Sequence, residues 1–100
     1  MKTYDKVYEL VAAVPTGKVT TYGSISKLTG IDPRVVGFAL HANKDPKDVP
    51  CHRVINSKGR ISSGYAFGGP GIQKKMLEEE GVEFDKKGVV DLAVFGYFIS

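Results

Sequence analysis

One cysteine stands in the 100 residues of this chain. A single thiol cannot close an intramolecular disulfide, so no oxidative staple is available and a reducing cytoplasm is the expected compartment. No apolar run approaches the roughly 20 residues that a membrane-spanning helix needs, so no membrane partner is expected. The opening stretch MKTYDKVYEL lacks the apolar segment of a secretory leader. Soft metal ligands are equally scarce. Cys51, His41 and His52 are the whole set, with no CxxC and no HxxxH spacing. That argues against zinc, and neither a metal nor a cofactor is expected. Linkers, repeats and low-complexity tracts are missing too. Charge of one sign does not dominate: 14 basic residues against 11 acidic leave +3. Such a balance permits a polyanionic partner without demanding one.

What is present describes a globular domain. Apolar residues make up 42% and charged residues 25%, ordinary values for such a fold. The length suits one domain over 1–100 with a single core. Val7, Leu10, Val11 and Val14 have the spacing of an amphipathic helix, with Thr3 as its cap and Pro15 and Gly17 closing it. KVTTY is β-branched and short, a strand or an extended lead-in. Ile25 and Leu28 mark a short helix ended by Gly30. Asp32 and Pro33 are strong start signals for another, whose buried face would be Val36, Ala39 and Leu40. NKDPKDVP reads as an irregular loop. RVINSKGRIS reads as two extended pieces around an Asn-Ser-Lys-Gly turn. The glycine-rich SGYAFGGPG excludes regular helix, GIQKKMLEEEG is a helix closed by Gly81, and DKKG is a turn. VVDLAVFGYFI is apolar enough to pack back on the body. The fold class is therefore mostly α with short β strands. Two helices over 22–29 and 33–42 with a tight connection have the pattern of a helix-turn-helix, and the hairpin that follows would be its wing.

The cysteine lies in VPCHRVI, residues 49–55. A free thiol is only a few per cent thiolate at neutrality, so a nucleophilic cysteine needs a base or a positive field. His52 and Arg53 are adjacent. Neighbours in an extended chain point to opposite faces, so the pair works only if the backbone turns or a water relays the proton. Pro50 and the extended Val49 it enforces fit a shaped turn. The plain alternative is that Cys51 is a core residue, since cysteine is among the most buried residue types.

PCHRV resembles the acceptor motif of the O6-alkylguanine-DNA alkyltransferases. Four further stretches match in the same order over about residues 4–83. PTGKVTTYGSISKLTG resembles the family's strand, tyrosine and first DNA-binding helix. DPRVVGFALHAN resembles its recognition helix and asparagine hinge. SGYAFGG is similar to its active-site loop, about 64–70, and KKMLEEEG to the helix carrying its carboxylate. The resemblance implies a winged helix-turn-helix, about 22–42, that binds double-stranded DNA containing O6-alkylguanine through the minor groove. It implies base flipping and irreversible transfer of the alkyl group to the cysteine of the 50–54 motif. Cys51 would then be the acceptor and His52 its base through a water. Glu80 would orient His52, and Asn43 would support the loop of Cys51. Tyr22 would crowd the phosphate beside the lesion, and Arg34 would fill the space of the flipped base. Gly37 and Arg53 would also meet DNA, while Tyr65, Ala66 and Phe67 would line the guanine pocket. Taken alone, Tyr22 also reads as a half-buried aromatic, Arg34 as a solvated first-turn charge, Glu80 as part of a solvated face, and Asn43 as a helix terminator.

The chain departs from the family pattern at several positions. It begins at the DNA-binding domain, where many members carry a separate N-terminal domain. Val35 and Phe38 stand where the recognition helix usually has small residues, and Gln73 where a lysine is common. The loop GYAFGG is one residue longer than usual, and the tail 89–100 matches no motif. Short members include alkyltransferase-like proteins, which bind damage without transferring the group, usually with another residue at the acceptor position. The cysteine here favours the enzyme. The rival expectation is a non-catalytic recognition module with a repair-protein partner. A monomer in the cytoplasm, associated with the nucleoid, is expected in either case.

Overall fold

The computed structural model describes residues 2–61 and 68–98. The element order is α1 (Lys2–Ala12), β1 (Thr20–Thr21), α2 (Tyr22–Thr29), α3 (Pro33–His41), a 3-10 turn (Cys51–Arg53), β2 (Val54–Ile55), α4 (Gly69–Glu79) and α5 (Leu92–Phe95). The mostly helical class with short strands is what the sequence pattern implied. Val7 and Val11, one turn apart on α1, are fully buried with Val14 beyond them. Helix α1 begins at Lys2, so Thr3 lies inside its first turn rather than ahead of it.

The two central helices fall where their start and stop signals lie. Thr21 is in extended conformation and its hydroxyl oxygen accepts from the Ser24 amide at 3.0 Å, capping α2. Gly30, at φ +73°, ends α2 in the left-handed conformation that glycine adopts without steric cost. Asp32 then caps α3 by accepting from the Arg34 amide at 2.8 Å, with Pro33 in the first turn. Ile25 of α2 and Val36, Ala39 and Leu40 of α3 pack with Val7, Val11, Cys51 and Val54 in one core cluster. Tyr8 donates its hydroxyl proton to the Ala39 carbonyl at 2.7 Å, which ties α1 to α3.

The expected hairpin over 53–62 takes a different form. Val54 and Ile55 pair in parallel with Thr20 and Thr21, so β2 joins β1 rather than its own return strand. The turn itself is present: the Asn56 amide donates to Arg60 O at 3.0 Å and Gly59 takes φ +81°. Arg60 then bridges to Val89 instead of β2. The reason is packing. Val54 and Ile55 are both fully buried, each in a different core cluster, and the parallel pairing beside β1 keeps both covered.

Two further differences concern the C-terminal third. Helix α4 starts at Gly69, so Gly69, Pro70 and Gly71 form its first turn although glycine-rich sequence argued for loop. Proline is tolerated there because its missing N–H has no intrahelical partner in a first turn. The tail folds back as expected. Val19 donates to Phe95 O at 2.8 Å and Tyr97 donates to Val19 O at 2.7 Å. Val90 joins Val19, Ile55, Leu77 and Val82 in a second core cluster, against which Leu92 and Phe95 pack. No described helix is long and apolar enough to cross a membrane.

Candidate active site

Cys51 opens the 3-10 turn that follows Pro50. Its amide donates to Val49 O at 2.8 Å, and the Arg53 amide donates to Pro50 O at 2.9 Å. The backbone therefore turns at the motif. Successive side chains step by about a third of a turn instead of alternating across a strand, which lets Cys51 and His52 serve one site. Cys51 is 5% exposed and belongs to the first core cluster. Its burial fits the core reading, and the turned backbone beside His52 meets the geometric condition of the site reading. Burial pushes its thiol up from the ordinary value, while a hydrogen bond from Asn43 and the turn's own backbone pull it partly back. The thiol accordingly rests protonated near neutrality.

Asn43 holds the approach to this turn from both ends of its amide. Its Nδ2 donates to Val49 O at 2.9 Å, and its Oδ1 accepts from the Asp45 amide at 2.9 Å. Asn43 therefore supports the Cys51 loop, whereas α3 is capped by the backbone of Ala42 and Asn43 does not take the left-handed turn that a helix-ending asparagine would.

His52 is buried, and its Nε2 lies 2.8 Å from Glu80 Oε2. A neutral imidazole that donates from Nε2 keeps a lone pair on Nδ1. That Nδ1 is buried and has no hydrogen-bond partner among the described residues. Glu80 sits at the C-terminal cap of α4, where the backbone leaves the helix and turns its side chain inward, while Glu78 and Glu79 face solvent. Of the three glutamates in EEE, only Glu80 serves the site.

The family resemblance implies a DNA contact for Arg53; in the fold its side chain is 14% exposed and bonded internally. Its Nε donates to Glu80 Oε1 and its Nη2 to Glu80 Oε2, both at 2.9 Å, a two-pronged grip on the carboxylate. Nη1 donates to Val14 O at 2.9 Å and Nη2 also to Thr16 Oγ1 at 3.0 Å. All three nitrogens of this guanidinium are hydrogen-bonded within the chain, so it orders the Glu80 carboxylate. Burial pushes the Glu80 carboxyl up, but the bonds and charges of Arg53 and His52 outweigh it and hold the group below the usual value.

Gln73 is the residue that sequence reasoning passed over except as a departure. It is buried on α4, and its Nε2 donates to His52 O at 2.9 Å and Val54 O at 3.1 Å. The available signal was its spacing: Gln73, Leu77 and Glu80 share one face of a helix.

The remaining assigned residues lie on other surfaces. Arg34 projects from the first turn of α3 with its side chain 87% exposed, its Nε 3.6 Å from Asp32 Oδ1. Gly37 follows on the same helix, and a β-carbon there would meet nothing within 4 Å. Phe38, 64% exposed, stands one turn beyond Arg34. Tyr22 is half-buried at the start of α2 and packs against the first core cluster. Tyr65, Ala66 and Phe67, with most of the active-site loop, lie outside the described residues. Among the described residues no group of three or more His, Cys, Asp or Glu is placed to hold a metal ion.

Against this geometry, the similarities to known proteins are specific. Residues 2–82 match the model of the 6-O-methylguanine DNA methyltransferase, DNA binding domain. Alkyltransferase-like protein 1 of Schizosaccharomyces pombe is 48% identical over 82 residues, covering 80% of this chain and 76% of that protein. Methylated-DNA–protein-cysteine methyltransferase of Methanothermobacter thermautotrophicus is 39% identical over 80 residues, covering 80% of this chain. The match takes in 44% of that methyltransferase, less than half its length. The crystal structure of S. pombe Atl1 in complex with damaged DNA containing O6-carboxymethylguanine superimposes with a TM-score of 0.82 at 39% identity, covering 98% of this chain and 96% of that one. This chain belongs to the 6-O-methylguanine DNA methyltransferase family, by way of its DNA-binding domain.

Proposed function

We propose that this protein repairs alkylated DNA directly, by moving the alkyl group of an O6-alkylguanine onto Cys51. One observation carries the reading: Cys51 is followed by a histidine whose Nε2 is fixed by Glu80 and whose buried Nδ1 has no partner among the described residues. The base rotates out of the stack, because an atom inside a duplex cannot be approached in line. The thiol proton leaves Sγ for His52 Nδ1, directly or through a water. Sulfur attacks the alkyl carbon, and the S–C bond forms as the C–O6 bond breaks. The bonding electron pair passes to the guanine, which takes up a proton. The products are guanine and a thioether, so each molecule reacts once.

In this reading Arg34 enters the stack as the base leaves, and Gly37 lets α3 approach the groove. Tyr22 meets the phosphate beside the lesion, and Tyr65, Ala66 and Phe67 contact the extruded base. Double-stranded DNA is the partner, and the cytoplasm is the proposed place of action.

A second reading has its own support. Burial pushes the Cys51 thiol up, away from thiolate, and the superposition on the alkyltransferase-like structure spans nearly the whole chain. Under it the protein recognises the lesion without transfer, and a second repair protein completes the work. Intact mass after incubation with a duplex containing O6-methylguanine separates the two. Wild type should gain one methyl group and Cys51→Ser none, with DNA affinity kept within about a few-fold, since an alcohol is a far poorer nucleophile. Wild type that binds the duplex but never gains the methyl establishes the second reading.

A further inference from the structure

We propose that Gln73 is a positioning residue for the acceptor turn, setting the direction of the His52 imidazole from the backbone side. The proposal rests on the role given above to His52 but concerns only how the ring is held.

Gln73 is 1% exposed, a burial rare for so polar a side chain. Its amide nitrogen donates to His52 O at 2.9 Å and Val54 O at 3.1 Å. Those contacts fix the amide's orientation, because the reverse placement would set its oxygen against two carbonyl oxygens. Its Oε1 is consequently buried without a partner among the described residues, an arrangement that costs stability. A residue chosen for the core alone would be apolar there, like Leu77 one turn on, which is fully buried on the same helix.

One carbonyl belongs to the turn that carries the chemistry and the other to Val54, which caps that turn and opens β2. His52 is held by its backbone to Gln73 and by its ring to Glu80. Both holds come from one face of α4, two turns apart. The 3-10 turn is thus tied on its N-terminal side by Asn43 through Val49 O and on its C-terminal side by Gln73. With the Gln73 tie removed, the imidazole would pivot about Glu80, and Nδ1 would lose its alignment with the thiol. Gln73 is neutral, so it aligns the ring without adding to the charges of Arg53 and Glu80.

The test is the pH profile of Cys51 alkylation by iodoacetamide in the full chain, which needs no DNA and no transfer from guanine. In wild type the reaction should have a limb near neutrality that disappears in His52→Ala, because the ring takes the proton. Gln73→Leu should lose that limb by about tenfold or more, the usual scale for a misaligned catalytic group. It should keep the alkaline limb of the buried thiol. Gln73→Lys, which restores a donor to the carbonyls, should recover the neutral limb. A folded Gln73→Leu with the wild-type profile overturns the proposal, as does a loss that Gln73→Lys fails to restore. Should Gln73→Leu not fold, Gln73→Asn takes its place: it keeps the amide but is one methylene too short to reach both carbonyls, and an unchanged profile there overturns the proposal equally. A wild type whose neutral limb does not depend on His52 sinks the proton-accepting role itself, a different outcome from failure of the Gln73 tie.

Discussion

Glu80 concentrates more of the site's order than any other side chain, because two cationic or proton-donating partners share its two oxygens. Removing its charge leaves the Arg53 guanidinium half-buried beside a neutral amide. Glu80→Gln should therefore cost about 2 kcal/mol or more in denaturant unfolding near neutral pH, since a buried charge that loses its partner is expensive. The acid dependence has a definite sign. Glu80 titrates below its ordinary value of 4.5 in the folded chain. Its contribution is whole above that value and fades as the pH falls through the lowered folded one. The gap between wild type and Glu80→Gln should shrink over that acid window. A gap that stays constant, or that opens on acidification, would show that the carboxylate is not what stabilises the cluster. At this scale the sequence was only partly legible. The resemblance singled out Cys51, His52, Glu80 and Asn43, which the fold brings to one turn and the end of α4, whereas the local reading of Asn43 as a helix terminator did not foresee its bond to Val49 O. The internal bonds of Arg53 were not legible, because a basic residue beside a nucleophile reads equally well as a DNA contact or an internal clamp. The positions of Val14 O, Thr16 and Glu80 around it set those bonds.

At the scale of elements, α3 separates two jobs by face. Val36, Ala39 and Leu40 are buried, while Arg34 and Phe38 project from the opposite side. Among the described residues Arg34 makes a long contact to Asp32, and its side chain is 87% exposed. A side chain that fills the stack left by a flipped base acts only once the base leaves. Arg34→Ala should slow methyl uptake from duplex yet spare reaction with free O6-benzylguanine, which has no stack to leave. Equal loss on both substrates would place Arg34 in the chemistry or the fold, and no loss on either would remove the minor-groove docking of α3. Phe38 bears on that last outcome, because its exposed ring lies on the same side as Arg34. The helices themselves were legible from local rules: Thr21, Gly30, Asp32 and Pro33 are caps and stops whose effect lies within a few residues of chain. The start of α4 was not legible, because glycine argues for loop wherever it occurs and Gly69–Pro70–Gly71 are helical only in company with the packed turns that follow.

At the scale of the whole molecule, the tail acts as structural material. Val90 is 2% exposed in the second core cluster, and the Phe95–Gly96–Tyr97 backbone pairs with Val19 just before β1. Because β1 carries β2, and β2 follows the acceptor turn, loss of the tail should loosen the site from behind. Truncation after Gly88 should lower stability by several kcal/mol, given that it removes Val90, Leu92 and Phe95 at once. The same truncation should slow thiol alkylation or methyl uptake although no residue of the site is deleted. A truncated chain of unchanged melting temperature and reactivity would show the tail to be an appendage.

The sequence by itself determined what depends on near neighbours along the chain: the helix periodicities, their caps, the turns at Asn56–Gly59 and Asp85–Gly88, and the order of motifs that carries the family likeness. Tertiary structure alone decided the pairing of β2 with β1 rather than with Arg60, the inward turn of Arg53, and the use of Gln73 as a tie on the acceptor turn. The physical reason is common to all three. Each depends on which buried carbonyl, carboxylate or apolar face happens to stand opposite. A partner 19 or more positions away leaves no mark on local propensity, whereas an unpaired polar group or an uncovered valine in the folded core costs enough free energy to choose among otherwise equal local conformations.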